Sequence, residues 1–72
     1  MRVHVCALPN SMSKNDIIEM FEELGEVTQF KYSGAHAQHC VEFQMPPMAA
    51  YQAIAKYDGI ELDEVPIKVK VS

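Results

Sequence analysis

A four-stranded antiparallel sheet with two helices on one face, in the chain order β-α-β-β-α-β, is what this sequence predicts. Three observations carry that expectation. Residues 50–71 read as a helix, a tight turn at Asp58-Gly59 and a closing strand in which Ile67, Val69 and Val71 alternate with Lys68 and Lys70. Ser13 followed three residues later by Asp16 is a capping signal that opens an amphipathic segment. Short alternating runs near both Val3 and Val41 supply further strands. The order matches the split-βαβ, ferredoxin-like arrangement.

Each element has its own justification. Val3, Val5 and Leu8 alternate with His4 and Cys6 in the first strand, which Pro9-Asn10-Ser11 ends. Ile17, Phe21 and Leu24, with Met20 beside them, mark one face of the first helix, and Gly25 is expected to stop it. Val27, Phe30 and Tyr32 form the apolar side of a second strand with a mild irregularity. Ser33-Gly34 turns into a third strand over residues 36–43, where Val41 and Phe43 point inward. Pro46-Pro47 breaks the sheet and opens the second helix, since proline is tolerated in a first turn. That helix is expected to bury Ala50, Ala53, Ile54 and Tyr57.

Size and composition bound the possibilities. Seventy-two residues make a single domain over 1–72, near the lower limit for one self-supporting core, and a domain of a longer protein is expected. A hydrophobic share of 49% is enough for packing, so composition does not predict disorder. The formal charge of −4 gives no basic footprint for nucleic acid over the whole domain. No apolar run approaches the roughly 20 residues a membrane span needs. Two cysteines and five methionines fit a reducing compartment better than a secreted scaffold, so an intracellular protein of the nucleus or cytoplasm is expected. Cys6 and Cys40 read as two half-buried thiols, since their spacing with His4 and His36 is not that of a zinc site.

Catalysis finds no support in the residues. There is no nucleophile–base pairing, no glycine-rich phosphate loop and no Cys-x-x-Cys. No enzyme activity, cofactor, metal or small-molecule substrate is expected.

Four stretches resemble the RNA recognition motif (RRM) family, and the resemblance runs the length of the chain; one is residues 50–71, which resemble that family's C-terminal half. Val3-His4-Val5-Cys6-Ala7-Leu8-Pro9 resembles the hexamer motif of that family's first strand. Phe21-Glu22-Glu23-Leu24-Gly25-Glu26-Val27 resembles the end of its first helix. Residues 36–43, HAQHCVEF, resemble the octamer motif of its third strand. The resemblance implies single-stranded RNA binding by base stacking on rings of the open sheet face. The ring positions it implies are His4, Gln38 and Cys40, so two of the three carry no ring. Stacking contributes roughly 1–3 kcal/mol per base, and losing two platforms weakens binding by on the order of 10²-fold or more. Lys31, Lys68 and Lys70 should share that face and meet phosphates.

A second surface stands out. Met48, Tyr51 and Ala55 fall at i, i+3 and i+7 on the outward side of the second helix, where the resembling family is usually polar. Such a stripe is either scattered surface or a protein contact, since Tyr and Met are enriched in interface cores. Ile18 on the first helix adds to the second reading. Together these features predict a non-enzymatic module of an RNA-processing or RNA-regulating protein. It would act mainly through protein contacts, by dimerisation or complex assembly. The alternative is single-stranded RNA binding through the open sheet face, using His4, Lys31, Gln38, Cys40, Lys68 and Lys70.

Overall fold

The computed structural model of the chain describes residues 1–33 and 40–72. The predicted third-strand start at His36 and the stacking position Gln38 lie outside those residues. Strand β1 (Arg2–Cys6) is followed by α1 (Lys14–Glu22), β2 (Thr28–Ser33), β3 (Cys40–Gln44) and α2 (Pro47–Tyr57). A two-stranded ribbon of β4 (Glu61–Leu62) and β5 (Val65–Pro66) precedes the last strand, β6 (Lys68–Val71). The main sheet has the order β2-β3-β1-β6 and every pairing in it is antiparallel. This is the predicted ferredoxin-like sandwich.

Local chemistry explains the helix ends. The backbone N–H of Asp16 donates to Ser13 Oγ at 3.1 Å, and the Ser13 N–H donates back to Asp16 Oδ2 at 3.1 Å. That reciprocal box satisfies two donors the first helical turn would otherwise leave open. Pro47 sits at the first position of α2, where its missing N–H is no loss. At the far end of α2, Asp58 Oδ1 accepts from the Val69 N–H at 2.9 Å and ties the turn to β6.

The core lies between the helices and one sheet face. Val3 and Val5 from β1, Val41 and Phe43 from β3, and Ile67 and Val69 at β6 are all buried. Ile17 and Phe21 from α1 and Ala49, Ala50, Ala53 and Tyr57 from α2 close over them. Ile54 is only half-buried at its edge, and Ala49 takes the place expected for it. Phe21 is the centre of a cluster of rings, 5.0 Å from Phe43 and 5.1 Å edge-on to Tyr57. Phe30 stacks on Phe43 at 6.1 Å, and Tyr57 Oη donates to the Met20 carbonyl at 3.0 Å. Aromatic pairs at such spacings add about 0.5–1.5 kcal/mol beyond their burial.

Several expectations need correction. Gly25 does not end α1 by a left-handed cap; the helix ends at Glu22 with Glu23 as a right-handed cap residue. Glycine is needed there for space, because a Cβ on Gly25 would fall 2.5 Å from the Cβ of Ala49 in α2. Tyr32 lies on the helix side of the sheet, opposite Val41, but on the edge strand it is 63% exposed. The segment between the Asp58-Gly59 turn and the last strand forms a hairpin. Asp63 and Glu64 form its two-residue loop with φ of 52° and 68°, the values of a type I′ turn, without the Asn or Gly such turns favour.

Two stability outcomes follow from this packing. Phe21→Ala should lose about 3–5 kcal/mol in urea unfolding, most of what a domain this small has. Gly25→Ala should lose about 1–3 kcal/mol by forcing the α1–β2 connection away from α2. Chemical-shift changes in that variant should centre on Ala49 rather than on the sheet.

Candidate nucleic-acid and protein interfaces

The face of the sheet turned away from the helices is built by alternation from the four strands. Register puts Lys31, Glu42, His4 and Lys70 in one row across β2, β3, β1 and β6. A neighbouring row holds Gln44 and Arg2, and the row on the other side holds Cys6 and Lys68. Among the described residues this face therefore presents Arg2, Lys31, Lys68 and Lys70 against Glu42, a local positive bias in an acidic chain.

The Glu42 carboxylate is the hub of the charges. Its Oε1 lies 3.7 Å from Arg2 Nε and 3.8 Å from His4 Nδ1. The other ring nitrogen of His4, Nε2, is 3.2 Å from Ser72 Oγ, so both edges of the imidazole are engaged. Pairs this open to solvent contribute roughly 0–1 kcal/mol each. Their effect is on orientation: they hold the ring at the stacking position between β3 and the end of β6.

The sulfur reading of the sequence is overturned. Cys6 and Cys40 are not two separate thiols but a disulfide, with Cα atoms 4.1 Å apart. Cys40 is also buried, which removes it as an RNA contact. Among the described residues the open face carries no Phe, Tyr or Trp.

The sequence missed Arg2, although alternation from His4 and Cys6 would have placed it on the same face. It also missed Gln44 and Ser72, at the strand ends. A bulge between Thr28 and Lys31, with Gln29 at φ 54°, turns Phe30 into the core and leaves Lys31 on the open side.

The helix-side candidates are elsewhere on the molecule. Met48 is 76% and Tyr51 57% exposed, and Ala55 beside them on α2 is exposed as well. Ile18 is half-buried on α1, a different helix, and stands outside the core cluster. Thus the structure gathers Met48, Tyr51 and Ala55 on one helix face and leaves Ile18 apart from them.

With this geometry in hand, solved structures decide the fold. The third RRM of Pes4 superposes with a TM-score of 0.85 at 18% identity, covering 99% of this chain and 89% of that one. By fold, this domain is like an RNA recognition motif. The RRM of Rna15 with bound RNA (GU) matches at TM-score 0.81 and 14% identity, over 99% of this chain and 81% of that one. The homodimer of C. elegans NONO-1 matches at 0.84 and 21% identity, over 99% of this chain and 28% of that one. In sequence, the chain is 30% identical over 74 residues to THO complex subunit 4D of Arabidopsis thaliana, across 97% of its own length. It spans about a quarter (26%) of that relative. No family model matches the chain. No helix among the described residues is long and apolar enough to cross a membrane.

Proposed function

We propose that this RRM domain is a non-enzymatic, intracellular module of a protein that works on RNA, and that it assembles with a protein partner through the outer face of α2. One contrast carries the reading. The stacking positions on the sheet hold a doubly engaged imidazole at His4 and a disulfide sulfur at Cys40, while α2 displays Met48 and Tyr51 to solvent. Large flexible and aromatic side chains of this kind supply contact area at the centres of interfaces. The likeness to a THO complex subunit supports membership of an RNA-handling assembly, and the likeness to part of a chain that forms a homodimer, C. elegans NONO-1, is in keeping with self-association. The parent protein's own partners are part of the same proposal.

Tyr51→Glu tests it. The variant should keep the fold, because Tyr51 is outside the core, yet weaken self-association or partner binding by on the order of 2 kcal/mol. Light scattering of the domain and co-purification of the parent protein measure the two arms. A domain that is monomeric at high concentration, in a parent that keeps all its partners with Tyr51→Glu, would defeat the reading.

A second use of the domain is favoured by the cations of the sheet face and by the RNA seen on the Rna15 RRM. Lys31, Lys68 and Lys70 would meet phosphates of a single strand while no bases stack. Binding should then fall in the non-specific range, roughly 10⁻⁴–10⁻⁶ M, with log K falling by about 0.7 per contact for each decade of salt. Fluorescence titration against a pool of single-stranded RNAs checks this. Submicromolar affinity for one defined sequence at physiological salt would show that the face recognises bases after all.

A further inference from the structure

We propose that the Cys6–Cys40 disulfide is a reversible thiol–disulfide exchange site, opened by small thiols of the glutathione class that attack at Cys6. The bridge lies outside the main apolar cluster of the core. Val5 and Val41, the neighbouring register pair, point to the helices and are buried among fourteen core residues, whereas the two sulfurs lie on the opposite face. The strands it joins are already held by four antiparallel register pairs, from Arg2–Gln44 to Val5–Val41. Opening the bridge therefore leaves ladder and core in place.

The two sulfurs are not equivalent. Cys40 is buried at 8% relative exposure, while Cys6 is half-buried. Cys6 also lines a cleft of about 640 Å³ between the β1–α1 loop and the β4–β5 hairpin, a lining that does not include Cys40. A volume in the range of small-ligand pockets admits a tripeptide thiol. Lys68 lines the same cleft and stands opposite Cys6 in the register of β6. An ammonium group placed there attracts the carboxylates of glutathione to the Cys6 side of the bridge, and favours the Cys6 thiolate released when the mixed disulfide is resolved. Ala7, the next residue, is held at φ 65°, so β1 turns sharply away just past the sulfur and leaves that side open.

The chemistry balances. A thiolate RS⁻ attacks Cys6 Sγ, the Cys6–Cys40 bond breaks, and Cys40 leaves as a thiolate that takes a proton from solvent. A second RS⁻ attacks the R sulfur of the mixed disulfide, releasing RSSR and the Cys6 thiolate. Two thiols are oxidised to one disulfide as the protein's disulfide is reduced to two thiols. The reverse sequence closes the bridge. The site lies two register positions from His4 and Glu42, on the same face, so its state alters the sulfur surface beside them. The proposal stands whether or not the α2 face binds a partner.

The test equilibrates the folded 72-residue chain in mixtures of reduced and oxidised glutathione, quenches with a maleimide, and reads mass and amide spectra together. Two thiols should become alkylatable in reducing mixtures while the spectrum stays dispersed, and they should be lost again on return to oxidising ones. Peptide mapping of the partly reduced wild type should find the mixed disulfide on Cys6. With oxidised glutathione, Cys40→Ser should capture glutathione at Cys6 several-fold faster than Cys6→Ser captures it at Cys40. Lys68→Gln should slow capture at Cys6 several-fold. The proposal is overturned if the thiols appear only on unfolding, if both are free even in oxidising mixtures, or if the mixed disulfide maps to Cys40. The wild-type mapping decides the matter even where a cysteine variant does not fold.

Discussion

Phe21 is the contact on which the rest of this small domain depends. Its ring touches Phe43 of the sheet and Tyr57 of α2, and the side chain is fully buried. In a chain of 72 residues the ratio of surface to volume leaves one core and no reserve. A single ring that binds α1, α2 and β3 to one another therefore sets the position of both helices. Gly25 and Ala49 show how close that packing is, since the segment just after α1 meets α2 where a methyl group would not fit. The Tyr57 hydroxyl on the Met20 carbonyl then fixes the helix pair in register, because a buried phenol needs an acceptor.

Committing one sheet face to this core releases the other. Antiparallel sheets tolerate a solvated face, and here that face collects what the core cannot hold: Arg2, His4, Lys31, Glu42, Lys68 and Lys70. Charge on it is local and opposite in sign to the whole chain, whose acids cluster around α1 at Asp16, Glu19, Glu22, Glu23 and Glu26. An average over the domain hides this separation, and only the strand register restores it. The same register brings Cys6 against Cys40, so the position where a stacking ring would be expected is closed by sulfur. Among the described residues the open face is thus positively biased and carries no aromatic ring.

Sequence alone determined the elements and their faces wherever the signal was local or periodic. The capping box at Ser13 and Asp16, the proline entry to α2 and the alternation of β1 and β6 are written in adjacent residues, and each formed as read. The same alternation placed His4, Lys31, Lys68 and Lys70 on one face, and helical spacing placed Met48, Tyr51 and Ala55 on another. Tertiary structure decided what depends on contacts between distant segments. Whether Gly25 serves a turn or a close approach is settled by Ala49, twenty-four positions away. The Asp63-Glu64 turn takes left-handed backbone without Asn or Gly, beneath a hydrogen bond from Ser11 Oγ to Asp63 at 3.1 Å, a partner no local pattern reveals. Tyr32 is apolar and correctly phased, yet it is exposed because it stands on an edge strand. Cys6 and Cys40 are thirty-four residues apart, and their bond exists because β1 and β3 pair in this register. A shift of one residue would have turned the two sulfurs to opposite faces.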